Sequence, residues 1–188
     1  MEVQAETKDN RIIENKVFGL LFGVRRSIRY HNRRRSFFDK FNSITNALAL
    51  IMGSATVYGA LKTNLEGIAI LAPAFITIFS SINLVIGSTR QARVHHDLCK
   101  RFIFLEKMIS ECRNPDENEL AKWTSERLDI ESEEPPVLHV LNSICHNELL
   151  RAMGYSKEDC VEISWLQRFL APFIDFQEHS IQTNGSTN

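Results

Sequence analysis

The chain predicts an all-α fold: a two-helix transmembrane hairpin extended by long cytosolic helices and completed by a small C-terminal helical region. Three observations predict it. Two long stretches carry no charged residue, basic residues crowd their outer flanks, and apolar residues elsewhere recur at helical spacing rather than in strand alternation.

The charge-free stretches are residues 41–61 and 67–89. A bilayer core about 30 Å thick needs roughly 20 helical residues to cross it, so both are long enough. The first is only moderately apolar, because it carries Asn42, Ser43, Thr45, Asn46, Ser54 and Thr56. The alternative is a soluble helical hairpin, but a chain of 188 residues has little protein with which to surround two such helices. Orientation follows from the flanks. Arg25, Arg26, Arg29, Arg33, Arg34, Arg35 and Lys40 precede the first stretch, and Arg90, Arg93, Lys100 and Arg101 follow the second. Excess Lys and Arg marks the cytoplasmic side, so both termini are expected inside and the short loop 62–66 outside. Net charge is −1, so the whole chain offers no electrostatic reason to bind nucleic acid. No secretory leader pattern opens the sequence. Cys99, Cys112, Cys145 and Cys160 show no paired spacing and fall in the region assigned to the cytoplasm, where reduced thiols are the rule.

The elements follow in order. Residues 1–10 read as a disordered N-terminus, and 11–113 as the hairpin with its helical extensions. Arg11 to Lys40 reads as a helix with Ile13, Val17, Leu20, Leu21 and Val24 on one side. After the second stretch, Val94, Leu98, Phe102, Leu105 and Ile109 form a coiled-coil-like stripe without Gly or Pro. One helix from Gly67 to Cys112 would be roughly 70 Å long at 1.5 Å per residue, with the basic N-terminal helix as partner for its stripe. Asn114-Pro115 ends it. Residues 114–176 read as a cytosolic helical region. Asp116 to Ile130 is a helix around Leu120, Trp123 and Leu128, and 131–136 is a linker. Val137 to Met153 carries Leu138, Leu141, Ile144, Cys145 and Leu149 on one face and stops at Gly154. Ser156 is placed to cap a last helix that Pro172 interrupts, and 177–188 reads as a polar tail.

On a helical wheel, Phe75, Ile78, Phe79, Ile82, Val85 and Ile86 share an arc of about 120°. Thr77, Ser80, Ser81, Asn83, Gly87 and Ser88 take the other side. Polar groups in lipid need partners, so this face should meet another helix or water. Helix packing with hydroxyls bonded one turn back and a water-lined oligomeric path both satisfy that requirement. The first stretch adds Ala49, Gly53, Ala55 and Gly59, small residues that allow close approach. Arg29, Arg33, Arg34, Arg35, Arg90 and Arg93 form a membrane-proximal basic set.

Signals for chemistry are few. His95-His96-Asp97 with Cys99 contains metal-ligand types, yet neighbouring helical positions point about 100° apart and no second cluster completes the set. These histidines read as membrane-proximal surface groups. Cys145-His146 with Glu148 fails as a thiol–imidazole pair for the same reason, and His139 and His146 could share a face only two turns apart. No phosphate loop or nucleophile elbow occurs. Neither an enzyme, a cofactor nor a metal is expected. Trp165, Phe169, Phe173 and Phe176 could lie at a membrane surface or pack the cytosolic helices together, and the latter is preferred.

Arg29-Tyr30-His31-Asn32-Arg33 followed by Phe37-Phe38 ahead of a first span resembles the SLATT family of small bacterial two-transmembrane proteins. So does the block His146-Asn147-Glu148-Leu149-Leu150-Arg151-Ala152-Met153-Gly154-Tyr155 with Ile163-Ser164-Trp165-Leu166-Gln167-Arg168. The resemblance covers residues 11–176. It implies an inner-membrane, pore-forming effector of anti-phage or other bacterial conflict systems, acting in the lipid bilayer as a homo-oligomer. It also implies a separate sensor or nucleotide-signalling protein as partner. The competing reading is a membrane-anchored adaptor that recruits a partner through its cytosolic helices.

Overall fold

A computed structural model describes residues 2–61 and 66–181, so the expected loop and the end of the tail lie outside the described residues. Among the described residues every regular element is helical: α1 (Glu2–Leu61), α2 (Glu66–Ile86), α3 (Ser88–Glu111), α4 (Glu117–Ser132), α5 (His139–Ala152), α6 (Trp165–Leu170) and a 3₁₀ turn at Glu178–Ser180. The all-α class holds. The chain divides into two compact units, one drawn from the chain up to Asn32 together with Asp97 onward, the other Arg33–His96.

In the first unit, α1 presents Leu20, Val24, Tyr30 and His31 as buried residues, and the α3 stripe buries Leu98, Phe102, Leu105 and Ile109. The partnership expected for the stripe is present: Arg25 Nε donates to Glu106 at 2.7 Å, and Cys99 Sγ lies 3.8 Å from the Ile28 carbonyl oxygen. Burying each large apolar side chain of the stripe contributes about 1.5–3 kcal/mol. A second cluster gathers Tyr30, Val140, Leu141, Ile144, Cys145 and Ala171, with Leu138, Ile163 and Ile181 packed against it. In α4, Trp123 and Ile130 are buried while Leu128 is exposed, so Ile130 takes the place expected for Leu128.

The helix ends show why these segments stop where they do. Asp116 caps α4 by accepting from the Glu119 N–H at 2.7 Å. After α5, Gly154 adopts φ +84°, the left-handed region that only glycine enters freely. Its N–H reaches the Arg151 carbonyl, and that of Tyr155 reaches the Leu150 carbonyl, each at 3.1 Å. This is a Schellman stop.

Four boundaries differ from expectation. α1 begins at Glu2 rather than Arg11, since residues 2–10 contain neither Gly nor Pro to stop a helix. The single helix expected from 67 to 112 is divided at Gly87, whose φ is +63°. Backbone bonds still bridge the break, from Gly87 N to Asn83 O and from Gln91 N to Gly87 O, both 3.0 Å. Ser156 starts no helix. Its N–H and hydroxyl both bond Asp159 Oδ2, forming a local turn that competes with helix. α6 starts instead at Ser164, whose hydroxyl accepts from Gln167 N while the Gln167 side chain accepts from Ser164 N. Finally, the stretch read as polar tail is ordered as far as Ile181, which packs on the α5 cluster.

Candidate functional site

The second unit, Arg33–His96, holds the strongest membrane signal. Among the described residues one helical stretch, Leu71–Glu111, is long and apolar enough to cross a bilayer, and only 11% of its apolar window is buried. A core helix of a soluble domain would be mostly covered. Leu71, Phe75, Ile78, Ile82, Leu84, Val85 and Ile86 of α2 are instead exposed. A contiguous exposed apolar face of this kind marks a surface that meets a membrane or another apolar partner.

Within this unit the polar side of α2 is resolved residue by residue. Asn83 Nδ2 donates to Asn42 Oδ1 of α1 at 3.0 Å. The hydroxyl of Thr77 donates to the Pro73 carbonyl one turn back, at 2.8 Å. Thr45, Ser54 and Thr56 of α1 do the same towards Phe41, Leu50 and Met52. These are the bonds of the packing reading. Ser80 and Ser81 are exposed. Asn83 Oδ1 and Ser88 Oγ are buried without a hydrogen-bond partner among the described residues. An unpaired buried polar atom costs about 1–3 kcal/mol, so the polar side is only partly satisfied among the described residues. Thr45, Ala49 and Met52 of α1 and Phe75 and Phe79 of α2 line an apolar niche of about 100 Å³.

The basic residues are largely tied down. The Arg34 guanidinium lies over the Phe38 ring at 4.6 Å, a cation–π contact, and Phe37 lies edge-on to Phe38 at 5.3 Å. Arg35 donates to His96 Nδ1 at 2.9 Å and pairs with Asp39 at 3.5 Å. Arg90 and Arg93 are exposed. His95, expected at the surface, is buried and stacks on Phe38 at 5.8 Å. It therefore serves the packing of the aromatic pair.

In the first unit the Arg-Tyr-His block builds a buried polar node. Arg29 bonds the Arg25 carbonyl at 3.2 Å. The Tyr30 hydroxyl accepts from Leu138 N at 3.0 Å, which fixes the entry to α5. His31, fully buried, meets Glu134 Oε1 at 3.0 Å through Nε2 and stacks on Phe102. Nearby, Glu131 accepts from Arg127 at 2.7 Å, and Glu133 pairs with Arg101 at 2.7 Å. Arg26 borders the same cavity, of about 270 Å³, with Tyr30, Glu131 and Glu134. Burial lowers its pKa from the ordinary arginine value, and the neighbouring Arg127 lowers it further. The acidic run 131–136, read as a linker, thus supplies Glu131, Glu133 and Glu134 as partners for three basic groups.

The C-terminal block is structural in its contacts. Asn147 holds Val161 from both sides, accepting its N–H at 2.8 Å and donating to its carbonyl at 2.7 Å. His146 lies edge-on to Phe22 at 5.2 Å, and Glu148 is half-buried. Trp165, Phe169 and Phe173 are exposed rather than packed between helices. With only six residues, α6 turns Gln167 inward and has no second face to bury Trp165 and Phe169, and Phe173 lies beyond its end. No protein-family model, no curated protein and no solved structure matches the chain. What fold and site define is a protein whose described regular elements are all helical, with an apolar helix long enough to cross a bilayer and a polar side only partly satisfied among those residues.

Proposed function

We propose that the chain is a membrane effector of a bacterial conflict system, which oligomerises in the inner membrane and opens a pore or leak when activated. In this reading residues 41–61 and 67–89 form a transmembrane hairpin with both termini in the cytoplasm. The observation that carries it is the polar side of α2. Asn83 Oδ1 and Ser88 Oγ are buried without a hydrogen-bond partner among the described residues, and Ser80 and Ser81 lie open beside apolar surface. Neighbouring copies or a file of water would satisfy them. The resemblance to SLATT proteins supports the effector role and a separate sensor or nucleotide-signalling partner.

A second reading has its own observation. The exposed Trp165, Phe169 and Phe173 form an apolar surface that suits an adaptor recruiting a partner, with the membrane segment as anchor. Membrane potential in cells expressing the chain from a tight promoter separates the two. Rapid depolarisation that disappears in the Ser80→Leu, Asn83→Leu double variant, with insertion intact, supports the pore. Depolarisation unchanged in that variant removes the polar side as the working surface. An intact potential during co-expression with genomic neighbours favours the adaptor.

A further inference from the structure

His139, Asp175 and Glu178 offer one imidazole nitrogen and two carboxylate oxygens that all lie within 4.8 Å of one another. His139 opens α5, Asp175 follows α6, and Glu178 opens the 3₁₀ turn, so the fold brings a residue of α5 to two neighbouring carboxylates well beyond it in sequence. We propose that this triad is a divalent-cation site of the zinc or manganese class, clasping residues 171–181 to the start of α5.

The segment that carries the carboxylates is held in place before any ion arrives. Asp175 accepts from His139 N at 2.8 Å through one oxygen and from Val140 N at 2.9 Å through the other. Each oxygen retains a second lone pair. Gln167 Nε2 donates to the Gln177 carbonyl at 3.0 Å. Ala171 on one side and Ile181 on the other pack into the α5 cluster. Gln177 sits at φ 51°, a left-handed conformation uncommon for a non-glycine residue, and it turns the chain directly before Glu178. Ligand atoms around one such ion stand about 3.0–3.6 Å apart, given bonds of about 2.0–2.2 Å. Rotamer adjustment of the exposed His139 and half-buried Glu178 closes the remaining gap. The α5 N-terminus offsets part of the charge on Asp175, which its N–H groups already bond, and a divalent ion would neutralise what the two carboxylates retain. A nitrogen ligand with two carboxylates favours borderline ions over calcium, which takes an all-oxygen shell. Water completes the coordination.

The test uses the full chain in detergent, stripped with a chelator and titrated with Co²⁺ as a spectroscopic stand-in, then with Zn²⁺. One equivalent should produce a visible ligand-field spectrum without a thiolate charge-transfer band, and Zn²⁺ should displace it. His139→Ala and Glu178→Gln should each weaken binding by about tenfold or more. Both alter surface-accessible side chains, and Asp175 is left intact because it caps α5. Zn²⁺ should also slow amide hydrogen exchange across residues 171–181 in the unaltered chain, but not in either variant. A spectrum and affinity unchanged by both substitutions, or a thiolate band, would place the ion elsewhere and overturn the proposal. So would binding that leaves exchange in 171–181 unaffected.

Discussion

Replacing His31 removes more than a ring. The side chain fills space against Phe102 and meets Glu134 through Nε2, so His31→Ala opens a cavity and takes a partner from a half-buried carboxylate. A loss of about 2–4 kcal/mol is expected from these two effects, read from chemical denaturation in detergent; a loss no larger than that of a surface substitution would contradict the node. His146 works through charge. Burial, and then the cation of Arg26, hold its pKa below the ordinary value of 6.5. The folded state therefore resists protonating a group that the unfolded chain protonates readily, so stability falls as pH drops below about 6.5. His146→Gln should flatten the dependence of melting temperature on pH between about 5 and 7. Cys112 is shifted the other way. Its thiol donates to Glu119 at 3.1 Å, and that bond holds its pKa above the ordinary cysteine value. Glu119→Ala should speed alkylation of Cys112, as followed by mass spectrometry of the intact chain.

At the scale of elements, helices announced themselves where side-chain pattern and termination agreed. The α3 stripe was legible because its spacing matches one buried face. The α5 stop was legible because Gly154 sits at the position that needs a left-handed residue. The start of α6 was not, because Ser156 and Ser164 are both followed by capping partners and only tertiary bonds choose between them. The Asn147 clamp on Val161 holds the intervening chain extended. Ser164→Ala should cost about 1 kcal/mol through loss of the capping box. Gly87 was also missed, since a glycine in an apolar run gives no sign of its backbone angle. Gly19, in the middle of α1, and Gly87 make opposite predictions. Gly19→Ala, in mid-helix with open space around its Cβ position, should stabilise by about 0.5–1 kcal/mol. Gly87→Ala meets no clash but needs a positive φ, so it should destabilise by more than that. Thermal unfolding of the two variants beside the parent tests the contrast. For Asn42 and Asn83, a double-mutant cycle to alanine should yield a coupling of about 0.6 kcal/mol, typical of interhelical bonds in membranes.

For the whole molecule, the strongest statement concerns how little of the apolar window is covered. That much was visible in the absence of charge from 67 to 89. The polar side of α2 was also legible as a face, but its contacts were not, because pairing Asn83 with Asn42 depends on how α1 and α2 pass each other. The acidic partners of the Arg-Tyr-His block were hidden for the same reason: His31 and Glu134 are distant in sequence. Under the proposed orientation, with both termini in the cytoplasm, the half-buried Cys112 and Cys160 should escape a membrane-impermeant thiol reagent in intact cells and react after lysis. Labelling before lysis would reverse the proposed orientation.

Asn147 also sets a limit on chemical ageing. Its amide both gives and accepts a proton bond with one backbone unit, which a carboxylate cannot do because it has nothing to donate. Deamidation there would set a negative oxygen against the Val161 carbonyl and release the loop. Its place within α5 protects it, since the following backbone nitrogen is held in the helix and cannot easily attack the side chain. The residue least tolerant of turning acidic thus lies where that conversion is slowest, and the lifetime of the C-terminal segment depends on α5 staying wound.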